Sequence, residues 1–311
     1  MNTQTELLQE ALRFYNFANY KVEFIRHNEN ITYSVENGAN KYLFRIHSEA
    51  EGLDFSFCRG NLSREILITG EIELLNSLHT KSTMKVQCPI KNKDGQYLTR
   101  LKTGIIVTVL SWIDGETLSG MELSDALVYK IGQMAATLHK SLLLLPSLNR
   151  CYYDEKFADK FLAAIQNAKE CQHIELIFCE KFEKLIIELR KILAKEKNRY
   201  TIVHADFSKS NMLYVNGKIV PIDFSMCGYG IPELDLGDLL DFIGNNQLKS
   251  TLLAGYESVN EIKINYEYLK LFEAFSFIAY ILIHNNQLYK DEKFQSKIEK
   301  WAATILDPLL S

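Results

Sequence analysis

The chain has 311 residues, 47% of them hydrophobic and 24% charged, with a formal net charge of −4. That profile suits a folded globular protein, long enough for one large domain or two lobes, and excludes a disordered chain. The acidic balance argues against a nucleic-acid binder, which would carry a basic face.

Residues 1–9 are polar and 6–18 amphipathic, with no apolar secretory core, so the expected location is the cytoplasm. Stretches 22–26, 31–35 and 42–47 have strand composition, with Glu36-Asn37-Gly38 as the hairpin turn before the third. Residues 63–79 set Ile66, Leu67, Leu74, Leu75 and Leu78 among charges and read as a helix. Further strands are predicted at 85–91, 97–101 and 105–112, with a turn at Lys93-Asp94-Gly95. After Asp114-Gly115 the pattern turns helical, at 123–144, 154–168, 174–195, 266–285 and 293–306. The stretch 202–222 is the only strand-like interruption. The expected fold is α+β and bilobal, with a sheet-rich lobe over 1–113 and a helical lobe over 114–311. The apolar runs 142–145 and 275–283 are too short to span a bilayer and read as buried helix, so no membrane association is expected.

Cys58, Cys88, Cys151, Cys171, Cys179 and Cys227 are scattered without a CxxC pair or zinc-ligand spacing. Free thiols in a reducing compartment are expected, with Cys227, close to Asp223, marked as the one with reactive potential.

Chemistry concentrates in "IVHADFSKSNMLYVNGKIVPID", residues 202–223. His204, Asp206 and Asn211 follow an apolar pair. A strand, an Asn216-Gly217 turn and a second strand then end at Asp223. Phosphoryl transfer needs a carboxylate to accept the proton of the attacking hydroxyl, and oxygen ligands for a phosphate-bridging magnesium. Asp and Asn oxygens suit that hard cation. Asp206 is therefore the expected base, with Asn211 and Asp223 as the expected Mg2+ ligands. Lys209, in the same loop, reads either as a phosphate-steadying cation or as a solvated lysine, and His204 as a backbone anchor.

With "HADFSKSN" and "IDF" in view, the chain resembles the aminoglycoside phosphotransferase and choline kinase superfamily, relatives of the protein kinases. "MAATLH" (134–139), "VTVLSWIDGETL" (107–118), "GEIELLNSL" (70–78) and "IDFSMCGYGIPELDLGDL" (222–239) extend the likeness over nearly the whole chain. It is most similar to the bacterial branch with type II homoserine kinases, spore-coat kinase-like proteins and stress-response kinases. That branch reads N-x-x-Y-x-V and L-R-I-H where this chain has Asn30 to Val35 and Leu43 to His47. The resemblance implies a protein-kinase-like fold, ATP or GTP as donor, and a small-molecule hydroxyl as acceptor. It implies a nucleotide cation at Arg45, where the family usually has Lys, paired to Glu71, with Glu73 and Glu65 as competitors. The phosphate-covering loop would be "RHNENIT" (26–32), which lacks glycine and leaves contacts to backbone amides and Asn30. Adenine would meet the hinge at Ser111, Trp112 and Ile113, Trp112 either stacking there or packing in the core. Asp235 would brace the catalytic loop. The alternatives are a nucleotide-binding pseudokinase and a stress-response Ser/Thr protein kinase.

From residue 201 onward there are fourteen Asp/Glu against nine Lys/Arg. This is a weak acidic signal for a cationic acceptor, with Glu233, Glu257 and Glu273 as the pocket residues it suggests.

Overall fold

Period-two alternation builds the first part of the chain. A computed structural model describes residues 3–259 and 263–310; the polar N-terminal stretch begins outside them and is helical from Thr3. Helix α1 (Thr3–Leu12) precedes strands β1 (Lys21–His27), β2 (Ile31–Asn37) and β3 (Asn40–Ile46). Helix α2 (Arg64–Lys81) and strands β4 (Leu98–Arg100) and β5 (Ile106–Ser111) follow. The five strands make one antiparallel sheet in the order β1-β2-β3-β5-β4. Tyr33, Val35, Phe44, Ile46, Val107 and Val109 pack with Leu7, Leu8, Ala11 and Leu12 of α1 in one core. The alternate residues face the other way. Thr32 lies beside Arg45 and Arg45 beside Thr108, which sets Arg45 on the inner face.

Helix α2 is capped by Ser63, whose Oγ accepts from Ile66 N at 3.3 Å. Its Leu74, Leu75 and Leu78 join Leu110 in a core shared with the helical part. The stretch 85–91 does not become a strand. Pro89 makes one isolated bridge to Leu110, flanked by single bonds from Ser111 N to Cys88 O and from Ile90 N to Val109 O. Proline has no N–H with which to extend the ladder.

Strand β6 (Glu116–Thr117) leads into α3 (Asp125–Leu142), α4 (Glu155–Glu170) and α5 (Leu176–Lys195), then β7 (Thr201–Val203), β8 (Met212–Val215), β9 (Lys218–Pro221) and β10 (Gly228–Gly230). Helices α6 (Glu233–Ile243) and α7 (Asn246–Glu257) occupy a stretch for which no helix is predicted. Helices α8 (Tyr266–Leu288) and α9 (Glu292–Trp301) follow. Phe161 of α4, Phe182 of α5 and Phe277 of α8 centre the largest core. The run 275–283 is buried helix as expected. The run 142–145 is not: α3 stops at Leu142, leaving Leu143 and Leu144 exposed in the turn.

The β8–β9 hairpin closes on Asn216 and Gly217, both with positive φ, as an Asn-Gly hairpin turn requires. The six cysteines are free, four of them buried. Burial pushes the Cys227 thiol up to about 12, which removes the reactivity suggested by its position. No helix among the described residues is long and apolar enough to cross a membrane.

Candidate active site

The loop between β7 and β8 carries His204, Asp206 and Asn211. Ala205 within it has a φ of 59°, a left-handed conformation that costs a non-glycine residue energy and needs support. Asp235 of α6 supplies it. Its Oδ2 accepts from His204 N at 2.8 Å and its Oδ1 from Ala205 N at 2.6 Å. The same carboxylate accepts from His139 Nε2 of α3 at 2.8 Å. The His204 ring stacks on Phe207 at 4.4 Å and its Nε2 donates to Ile222 O at 3.1 Å. His204 is fully buried in this anchoring position.

Asp206 is thereby turned toward a cleft of about 660 Å3 that Asn211 and Asp223 also line. Asn211 Nδ2 donates to Asp206 Oδ2 at 2.8 Å and to Asp206 O at 3.0 Å. The hairpin register pairs Met212 with Pro221, and Ile222 N donates to Asn211 O at 2.9 Å, which brings Asp223 beside Asn211. Asn211 Oδ1 is buried and accepts no hydrogen bond among the described residues.

The upper side of the cleft comes from the sheet. Arg45 Nη1 lies 2.8 Å from Glu71 Oε1 and 3.4 Å from Asp223 Oδ1. Glu73 is exposed and Glu65 pairs with Arg100 at 2.6 Å, so Glu71 is the partner. Arg45 Nε and Nη2 are buried donors without a partner among the described residues, available to an anion. Arg26 Nη2 reaches Asp223 Oδ2 at 2.9 Å. Glu29 accepts from Ser225 Oγ at 2.8 Å, and Arg64 donates to Glu29 O at 2.8 Å and reaches Asn30 Oδ1 at 3.5 Å. The 26–32 loop therefore closes onto the site through polar bonds.

Electrostatics separate the two aspartates. Burial raises the Asp206 carboxyl well above the usual range, and the nearby Asp223, Asp238 and Glu29 carboxylates add to it. Burial would raise Asp223 too, but the Arg45 and Arg26 guanidinium groups hold it below the usual value. Burial likewise raises Glu29 and lowers His204.

At the hinge, Ser111 N donates to Cys88 O and Trp112 N to Lys41 O, while Ser111 O accepts from Gln87. Among the described residues no hydrogen bond engages the Ile113 backbone, and Trp112 and Ile113 line the cleft where Ser111 does not. Lys41 sits over the Trp112 ring at 4.4 Å. Leu43, Ile113, Leu213 and Ile222 give this end apolar walls.

Other expectations find different places. Lys209 lies 6.0 Å from the Phe242 ring and does not line the cleft. Nor do the three pocket glutamates. Glu233 is fully buried, 2.5 Å from Arg199 and accepting from Asn265 N. Glu257 is exposed and accepts from the Tyr266 hydroxyl, and Glu273 is bonded to Lys249. The carboxylates that do line the acceptor side are Asp238 and Asp241. With Asp235 they recur every third residue along α6, a one-face spacing visible in the sequence. Sequence reasoning also missed Arg26, Glu29 and Arg150. Arg150 is buried, donates through Nε to Cys227 O at 2.6 Å, and bonds Leu67 O and Ser225 O. It ties α2 to the segment after Asp223.

No group of three or more His, Cys, Asp or Glu among the described residues could hold a metal. The Asn211 amide oxygen, buried without a partner, and the Asp223 carboxylate fit magnesium, which takes few protein oxygens and completes its shell with phosphate and water.

The sequence profile of the phosphotransferase enzyme family matches residues 21–272. The chain belongs to that family. Among curated proteins, none matches it by sequence. Solved structures do match by fold. A microcompartment-associated aminopropanol kinase has TM-score 0.70 at 20% identity, covering 96% of this chain and 94% of its own. An amicoumacin kinase in complex with AMP-PNP and Ca2+ has TM-score 0.72 at 18% identity, covering 99% and 94%. A choline kinase from Streptococcus pneumoniae has TM-score 0.68 at 17% identity, covering 98% and 99%. With these, the sheet-plus-helix first part and the helical second part form the bilobal, protein-kinase-like plan expected of the sequence.

Proposed function

We propose that this phosphotransferase moves the γ-phosphate of a purine nucleoside triphosphate, ATP or GTP, to a hydroxyl of a small molecule. The observation that carries the reading is the pairing of Asp206 with Asn211 at 2.8 Å beside an unpartnered Asn211 oxygen, all facing one cleft with Asp223. Residues 1–113 are taken as the nucleotide lobe and 114–311 as the catalytic and acceptor lobe. The base hugs an apolar slot whose free hinge backbone is that of Ile113, and the unpaired Arg45 donors would meet phosphate oxygens, with Glu71 holding that guanidinium in place. Asn211 and Asp223 would hold magnesium, which supplies charge stabilisation on the phosphates. Asp206 orients the acceptor hydroxyl and takes its proton, while Asp235 keeps the loop in its left-handed turn. Burial first and neighbouring carboxylates second raise Asp206, and a cation held at Asp223 would offset the second of these.

Asp206→Ala is expected to abolish transfer while leaving nucleotide-induced thermal stabilisation in place. Retained turnover would remove Asp206 from its role. Stabilisation by nucleotide without turnover in the unaltered protein would favour the pseudokinase. Label on protein substrates instead of small molecules would favour the Ser/Thr kinase.

A further inference from the structure

One wall of the catalytic cleft has a second face. In the connection between β3 and α2, Leu53 and Phe55 line the cleft, whereas the alternate residues Asp54 and Ser56 line a separate groove of about 560 Å3. Helix α8 divides in the same way, with Ala279 and Ile283 on the cleft and Leu282, Asn285 and Asn286 on the groove. Helix α4 completes the groove with Lys160 and Asn167, and the small residues Gly60, Ala163 and Ala164 keep it open.

The polar groups here have spare capacity. Asp54 Oδ1 accepts from Ser56 N at 2.9 Å, and no cation pairs with that carboxylate among the described residues. Lys160 Nζ donates to Gly60 O, and no carboxylate pairs with it among the described residues. Asn285 is only 4% exposed; its Nδ2 lies 3.3 Å from His173 Nδ1, and its Oδ1 has no hydrogen-bond partner among the described residues. A buried amide oxygen without a partner carries a desolvation cost that a ligand N–H would relieve. An anion alone would also meet Asp54, a cation alone would also meet Lys160, and a neutral molecule would leave both charges unanswered. One unpaired charge of each sign beside the carboxamides of Asn167, Asn285 and Asn286 matches a small zwitterion with further hydrogen-bonding groups.

We propose that this groove is an effector site for a free α-amino acid with a polar, uncharged side chain. Its carboxylate lies at Lys160, its ammonium at Asp54 and its side chain on the carboxamides. The coupling to the cleft runs through the shared wall. Asp54 N donates to Ile283 O of α8 at 3.4 Å, and Arg59, next to Gly60, lies 3.3 Å from Glu29 of the 26–32 loop. A ligand that bridges Asp54 and Lys160 steadies the segment from which Arg59 holds Glu29, and with it the loop above the phosphate end. Coupling between sites is reciprocal, so nucleotide tightens the amino acid by the factor by which the amino acid tightens nucleotide. This goes beyond the phosphotransferase reading, and binding in the groove is measurable whether or not transfer occurs.

The test titrates the full chain by calorimetry with L-glutamine and L-asparagine, neither of which has a hydroxyl to accept phosphate. Glutaramate, which lacks the ammonium of L-glutamine, and γ-aminobutyramide, which lacks its carboxylate, are the controls. L-Glutamine should bind on the order of tenfold tighter than either control. Asp54→Asn should erase its advantage over glutaramate, and Lys160→Met its advantage over γ-aminobutyramide. Ala163→Trp, at an exposed position, should fill the groove and abolish binding without lowering the melting temperature of the free protein. Saturating L-glutamine should tighten AMP-PNP about fivefold in the unaltered protein and leave it unchanged in Ala163→Trp. Binding of neither amino acid, binding that survives Ala163→Trp, or equal binding of L-glutamine and both controls overturns the site. The expected ranking with AMP-PNP affinity unmoved by L-glutamine overturns the effector role alone. Failure of AMP-PNP to bind under any condition overturns the nucleotide reading, while the L-glutamine titration still decides the groove.

Discussion

Replacing Asp235 by Asn should unlock the catalytic loop. The carboxylate accepts three hydrogen bonds, from His204 N, Ala205 N and His139 Nε2, at 2.8, 2.6 and 2.8 Å. Asn keeps one acceptor oxygen and turns an NH2 group toward donors that previously had an acceptor. One buried donor left unpaired costs about 1–3 kcal/mol, and the surviving bonds lose their charge assistance, so a loss of about 3 kcal/mol is expected. Ala205 is then free to leave its 59° φ, and Asp206, next in the chain, moves with it. A displacement of about 1 Å at a reacting group costs on the order of a hundredfold in rate. Equilibrium unfolding in urea reads the first effect, as a lower midpoint at unchanged slope, and nucleoside-diphosphate release reads the second. An unchanged midpoint with full turnover would refute the view that Asp235 holds the loop.

Arg45→Ala leaves Glu71, only 1% exposed, without its cation, and should destabilise by about 3–5 kcal/mol in the same unfolding assay. Gly70→Ala would set a Cβ 2.4 Å from Asn149 O, a backbone atom next to the Arg150 tie, and should cost about 1–3 kcal/mol by crowding. Part of the pH response of the ligand-free protein comes from Asp238 and Asp241. Burial raises their carboxyls from 3.8 to about 8 and about 6. A folded value above the unfolded one means that the folded state holds the extra proton between the two. The stabilisation is therefore full below about 4 and is lost as pH rises toward 8. Buried His204 pulls the other way over part of that range, so the test is a difference between proteins. The melting temperature of Asp238→Asn should fall less as pH rises from about 6 to about 8 than that of the unaltered protein, and an unchanged profile would contradict the assignment.

The grouping of Asp206, Asn211 and Asp223 was legible because its geometry is local. Asp206, Asn211 and Asp223 are joined by a loop and a two-residue hairpin turn, so spacing alone brings them together. Arg45 was singled out by the resemblance, and the strand register sets it on the inner face beside Thr32 and Thr108. Helix α6 escaped because it is buried on nearly every side, and a helix without a solvent face has no apolar stripe to betray it. The pocket glutamates were misplaced for a related reason. Whether an acid faces a cleft or an arginine depends on distant chain, and Glu233 meets Arg199 and Asn265 instead of ligand. Pro89 shows the opposite case, since a missing N–H was visible in the sequence and outweighs the strand composition around it.

The two sides of the cleft are fastened by different physics. Below, Asp206 rests on Asp235 and His139, fully buried between α3 and α6. Above, residues 26–30 are held by Arg26 to Asp223, Glu29 to Ser225 and Arg64, and by a sheet edge whose Val22, Phe24 and Ile25 lie in solvent. The lower side yields only to heat or denaturant. The upper side yields to ions, since partly exposed charge pairs weaken within a screening length that shrinks to about 3 Å at molar salt. High salt should therefore loosen the grip of Arg26 on Asp223 while leaving the buried Asp235–His139 support in place.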